Sequence, residues 1–99
     1  MGLYVLIGRD GPRGGELRKL HREAHLRNLE PLAAAGRIAY AGPLLDAEER
    51  PLGSVIVFEA ESLAAARGFA ETDPYVVQGV FAHWEVFGSR RVFPREASP

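Results

Sequence analysis

Residues 3–36, LYVLIGRDGPRGGELRKLHREAHLRNLEPLAAAG, switch hydrophobic period partway along. Leu3 to Gly8 is a short apolar run rich in β-formers, which predicts a strand. Asp10-Gly11-Pro12 ends it, and Gly14-Gly15 keeps the following loop flexible. From Glu16 the apolar residues Leu17, Leu20, Ala24, Leu29 and Leu32 recur at helical spacing, with Gly36 as a natural stop. Pro31 lies inside this helix. It removes one backbone bond and crowds the preceding turn, so a kink or break is expected near Glu30.

The remaining chain extends this strand–helix unit. Ile38 to Ala41 reads as a second strand closed by Gly42-Pro43, and Asp46 to Gly53 as a charged loop. Val55 to Phe58 is a third strand, Ser62 an N-cap for a helix over Leu63 to Ala70, and Val80 to Phe87 the last strand. The order β-α-β-β-α-β normally gives one four-stranded sheet with both helices on one face, leaving the other face wet and polar. Here both faces are apolar. Leu3, Val5 and Ile7 oppose Tyr4 and Leu6; Val55 and Val57 oppose Ile56 and Phe58; Val80, Ala82, Trp84 and Val86 oppose Phe81, Phe87, His83 and Glu85. A partner is expected over the second face, most simply another copy of this chain packed sheet on sheet, the alternative being that the loops and the C-terminal tail cover it in a monomer.

Composition narrows the function classes. Ninety-nine residues make one domain, expected over residues 1–93 with a C-terminal tail at 94–99. With 12 basic and 13 acidic residues the net charge is -1, which offers no field for nucleic acid or an anionic membrane. Arg90, Arg91 and Arg95 against Glu96 read as solvated charge. There are no cysteines, so disulfide and thiol chemistry are excluded. Met1 to Gly8 has no basic leader or cleavage site and reads as a strand, and Leu6 stands where a myristoylation motif needs Ser or Thr. No run approaches membrane-spanning length, so a cytoplasmic location is expected. Neither a nucleophilic triad nor a phosphate loop nor a dinucleotide fingerprint appears, so no cofactor is expected.

Three groups carry candidate chemistry. His21-Arg22-Glu23-Ala24-His25 differs from a zincin helix because Glu23 is two residues past His21, about 200° around the helix. His21 and His25 are still four residues apart and could share a metal if His83 or Asp73 supplied a third ligand, but no metal site is assigned, and His21 reads as a partly buried helix residue. His25 lies one turn after Arg22, placing an imidazole beside a guanidinium suited to a carboxylate or enolate oxygen. Asp73-Pro74-Tyr75 combines an N-cap with a favoured first helical residue, which predicts a short turn through Val77 stopped at Gly79. A capping carboxylate keeps a second oxygen for another donor.

These groups sit in a longer pattern: Leu3-Tyr4-Val5, Arg22-Glu23-Ala24-His25-Leu26, Gly36-Arg37, Ala41-Gly42-Pro43, Gly53-Ser54-Val55-Ile56, Glu61-Ser62-Leu63, Asp73-Pro74-Tyr75-Val76, Gly79-Val80 and Arg90-Arg91-Val92-Phe93. In that order and spacing the chain resembles the YciI-like proteins of the YCII-related domain family, over about Met1 to Phe93. The resemblance implies an α+β, ferredoxin-like dimeric barrel with an antiparallel four-stranded sheet. It also implies that His25 and Asp73 match the family's histidine and aspartate, for which an enzymatic role has been proposed; one related member resembles a dehydrochlorinase acting on a chlorinated hydroxyquinol. Pro31 within the first helix and the short loop Leu45 to Leu52 depart from the family pattern.

The expected mechanism has His25 as general acid/base on a small organic substrate, with Asp73 fixing its tautomer. Arg22 would bind a substrate carboxylate or oxyanion, and Ser54 and Tyr75 would line the pocket as hydrogen-bond donors. The reaction would be isomerisation or elimination on a cyclic or aromatic-derived acid. The alternative is a non-enzymatic dimer that binds a small ligand or serves a structural role. Cofactor-free oxygenation is a third possibility, by fold analogy alone. The distance between His25 and Asp73 discriminates, since only contact beside a cleft favours an enzyme.

Overall fold

The computed structural model describes residues 1–95. Of the expected tail, Pro94 and Arg95 fall within that range; Glu96 and the rest of 94–99 lie outside the described residues. Seven elements follow one another: β1 (Gly2–Asp10), α1 (Gly14–Ala34), β2 (Ile38–Leu45), β3 (Pro51–Ala60), α2 (Leu63–Thr72), α3 (Pro74–Val77) and β4 (Phe81–Ser89). The strands form one antiparallel sheet in the order β2-β3-β1-β4. This is the expected ferredoxin-like α+β fold, with α3 as the short turn begun at Asp73.

The pleat sorts the strand residues. Leu6 pairs with Ile56 on one side and Val86 on the other, and all three are buried with Phe58 against Leu29 of α1 and Ala66 and Ala70 of α2. The opposite face carries Val5, Val57 and Phe87 in one row, with Phe87 48% exposed. Tyr40 of β2, opposite Val57, is 58% exposed. The face away from the helices is thus apolar and open in the single chain.

Phe81 corrects the expected alternation. Counting back from Phe87 puts it on the open face, but the β1–β4 register shifts between Arg9 and Asp10. A bulge of one residue reverses the facing of whatever precedes it. Phe81 therefore turns toward the helices and covers Gly8, where an added Cβ would lie 2.5 Å from its ring. There it meets Tyr75 edge to face, with ring centroids 5.7 Å apart.

Three further expectations shift. Helix α1 continues through Pro31 to Ala34 instead of breaking near Glu30. Pro31 forfeits one bond near the helix end, and the end is closed regardless: Gly36 at φ +71° lets its amide reach Ala33 O and the Arg37 amide reach Leu32 O. Gly42-Pro43 lies within β2, which is an edge strand where a missing N–H costs little, and the loop contracts to residues 46–50. Leu20, expected on the apolar stripe of α1, is 67% exposed. No helix of the described residues is long and apolar enough to cross a membrane.

Candidate functional site

The inward side of α1 mixes the two kinds of side chain: Leu17, Leu29 and Leu32 pack on the core, with Arg18 and His25 among them. Arg18, Arg22, His25 and Leu29 follow at intervals of four, three and four residues, so they share one helix face. Gly14 starts the helix in contact with Asp10, where a Cβ would sit 2.6 Å from the Asp10 Cβ. That close approach brings Arg18, one turn on, back onto the end of β1. Its Nε donates to Asp10 Oδ2 at 2.6 Å and its Nη2 to Asp10 Oδ1 at 2.9 Å.

His25 and Asp73 are separated by 48 residues and meet through the fold. His25 Nδ1 lies 2.8 Å from Asp73 Oδ1 and 2.9 Å from Oδ2. Asp73 is fully buried. It also caps α3, accepting from the Tyr75 amide on Oδ1 at 2.8 Å, and takes a longer bond from Asn28 Nδ2 on Oδ2 at 3.3 Å. The Tyr75 and Asn28 partners of the carboxylate are both donors, and an ionised carboxylate only accepts, so a neutral imidazole bonded to it would carry its proton on Nδ1. Tyr75 lies flat on the imidazole, with ring centroids 3.9 Å apart and 3° between planes, so the ring cannot swing away without unstacking.

A cavity of about 760 Å³ opens between α1 and the β2–β3 hairpin. Arg22, His25, Ser54 and Tyr75 line it, as do Arg18 and Lys19; Asp73 does not, because His25 stands in front of it. Leu26, Leu29 and Ile56 supply apolar wall. Arg22 is exposed at the cavity and makes no ion pair with the described residues, whereas Arg50 is tied to Asp46 and Glu48. Burial pushes the Tyr75 phenol above its ordinary pKa, while the charges of Arg18 and Arg22 pull the other way. The phenol therefore stays protonated at neutral pH and is available as a donor. Among the described residues no group of three or more His, Cys, Asp or Glu side chains stands together as metal ligands, and His21 is only half buried.

Asp10 and Arg18 escaped the sequence reading. Arg18 Nη2 also donates to Gly53 O at 2.7 Å and Ser54 Oγ at 2.9 Å, and the guanidinium lies 5.1 Å above the Tyr75 ring. The available signal was the interval Arg18–Arg22–His25, a polar stripe at helical spacing where an apolar one is usual.

The YCII-related domain matches residues 2–90. Protein YciI of Escherichia coli is 37% identical over 97 residues, an alignment covering 92% of this chain and 99% of that protein. A Haemophilus influenzae protein is 38% identical over 97 residues, covering 91% and 98%. Among solved structures, the 5-chloro-2-hydroxyhydroquinone dehydrochlorinase of Burkholderia phenoliruptrix, in complex with 2,5-dihydroxybenzoquinone, superposes with a TM-score of 0.80 at 33% identity, covering 89% of this chain and 93% of its own. An antibiotic biosynthesis monooxygenase superposes with a TM-score of 0.52 at 18% identity, covering 93% and 99%, and shares the fold alone.

Proposed function

This chain belongs to the YCII-related domain family, and from that premise we propose that it is a small-molecule enzyme in which His25 moves a proton. The observation that carries the reading is the bond from His25 Nδ1 to a fully buried carboxylate, with the imidazole itself on the cavity wall. Nδ1 is occupied by Asp73, so Nε2 is the nitrogen left for a substrate. A neutral imidazole held with Nδ1–H presents a lone pair at Nε2 and acts as a base. Asp73, acceptor only, holds that tautomer and stabilises the imidazolium that forms.

The substrate class follows from the cavity and from the dehydrochlorinase relative bound to a dihydroxyquinone. Here a small cyclic or aromatic-derived organic acid would enter with its ring against the apolar wall. Arg22 would hold a carboxylate, and Ser54 and Tyr75 would donate to ring oxygens. In an elimination, Nε2 takes a proton from the ring system, the released electron pair forms a new double bond, and chloride leaves with the electrons of its bond to carbon. In an isomerisation the same nitrogen returns the proton to a different carbon. The test is turnover of chlorinated hydroxyquinols and muconolactone-like acids, followed by absorbance and chloride release. General acid–base catalysis contributes about 10²–10⁴-fold, so His25→Gln should lose turnover by that factor. Full activity in that variant would remove the mechanism.

The open sheet face supports a second proposal, that another copy of this chain covers it. Phe87 and Tyr40 are about half exposed beside half-buried Val5, Val55 and Val57, an apolar area of the kind that marks interaction surfaces. Sedimentation should show a dimer that Val57→Asp converts to monomer. A wild-type monomer at high micromolar concentration would contradict it.

A further inference from the structure

Arg18 and Asp10 form an enclosed ion pair to which the acid–base reading gives no part. Their side chains keep only 11% and 7% of their surface exposed. A buried ion pair is weak evidence for stability, since desolvating both charges offsets most of their attraction. The pair therefore invites a role besides holding the fold, and the Arg18 hydrogen bonds suggest one.

Arg18 Nη2 donates to Ser54 Oγ at 2.9 Å. A hydroxyl has one proton, and one that accepts from a cation points its own proton elsewhere. Ser54 is 95% buried, given its 5% exposure, yet its side chain lies on the cavity wall. Among the described residues its hydroxyl is bonded to no acceptor. A buried donor left without a partner is unfavourable, and Ile56 and Leu29 on the same wall cannot accept. The neighbouring guanidinium also makes the hydroxyl a stronger donor, because hydrogen bonds in a chain polarise one another at low dielectric.

Taking the cavity as the substrate site, as argued above, we propose that Ser54, aimed by the Asp10-anchored Arg18, binds an anionic ring oxygen of the ligand, a phenolate or enolate. Ser54 touches the ligand; Arg18 is a positioning residue that acts through it. The ligand class is thereby narrowed to planar rings bearing an oxygen that carries negative charge when bound.

The test compares two planar probes that differ only in the charged ring oxygen, 4-nitrophenolate and nitrobenzene, titrated against the intact protein at a pH where the phenol is ionised. A hydrogen bond to a charged oxygen corresponds to about tenfold or more in affinity. Ser54→Ala should lose about that factor for the phenolate and less than about twofold for nitrobenzene. Arg18→Lys keeps the charge but lacks the planar fork that spans Asp10, Gly53 and Ser54. Its loss should be similar, and the double variant should lose no more than either single one. Additive losses, phenolate binding by Ser54→Ala at wild-type strength, or no wild-type preference for the phenolate would each overturn the proposal. Should Arg18→Lys fail to fold, Ser54→Ala alone decides. The proton-transfer reading is tested by turnover of His25→Gln, whereas this proposal is read from equilibrium binding by Ser54→Ala, so the failure of one is told apart from the failure of the other.

Discussion

Replacing Asp73 separates its two duties. As a cap it accepts the Tyr75 amide at 2.8 Å, and as an orienting group it accepts His25 Nδ1 at 2.8 and 2.9 Å. Asp73→Ala leaves both buried donors without a partner. At about 1–3 kcal/mol for each unsatisfied buried donor, the loss is about 2–6 kcal/mol. For a domain of this size, 4 kcal/mol lowers the melting temperature by on the order of 20 °C. Asp73→Asn behaves differently. Asn caps as well as Asp, so its carbonyl keeps the Tyr75 amide and restores more than half of the lost stability. Its amide group, however, takes the place of the second oxygen beside His25 and removes the charge that favours imidazolium. Folding is then largely kept while proton transfer falls by about 10²–10⁴-fold. Chemical denaturation of the three proteins gives the first quantity, and turnover of an identified substrate the second. A cost of less than about 1 kcal/mol for Asp73→Ala, below the range expected for unsatisfied buried donors, or wild-type turnover in Asp73→Asn, would rule out this double duty.

Other parts of the structure make simpler predictions. The Ser62 side chain accepts from the Ala65 amide at 3.1 Å, so Ser62→Ala should cost about 1 kcal/mol in urea unfolding. A Cβ at Gly53 would lie 2.4 Å from the Gly8 carbonyl oxygen, a backbone atom that cannot step aside; Gly53→Ala should cost about 1–3 kcal/mol, and an unchanged midpoint would show that β1 and β3 separate easily. The Asp46 carboxyl is held below its ordinary range by the Arg50 amide, with further lowering from the Glu48 amide and the Arg50 charge. A depressed folded-state pKa contributes stability above the unfolded value and loses it as pH falls through the folded one. The Glu48 and Arg50 amide resonances should therefore titrate together below about pH 3.9, the ordinary Asp value, and a midpoint above it would contradict the assignment.

Much of the fold was legible because each change of hydrophobic period marks an element. Boundaries were less so, since distant contacts set them. Helix α1 starts at Gly14 because that residue packs on Asp10 of β1, and β2 runs through Pro43 because no strand pairs beyond it. Phe81 was misplaced because a single bulge is invisible in alternation and reverses every facing beyond it. The site was legible in a different way. Spacing alone pairs His25 only with its helical neighbour Arg22; the resemblance singled out His25 and Asp73, and the fold brings them into contact across 48 residues. Arg18 was passed over because hydrophobic periodicity looks for apolar stripes, and this helix turns Arg18 and His25 inward beside the expected Leu17 and Leu29.

The proposed proton transfer requires that His25 present an unprotonated Nε2 to the cavity. Long-range ¹⁵N–¹H correlation spectra of the uniformly labelled protein, recorded where His25 is neutral, read that state without any substrate. A proton is expected on Nδ1, bonded to Asp73, and a lone pair on Nε2, with the pattern altered in Asp73→Asn. A proton on Nε2 in the wild-type protein would contradict it.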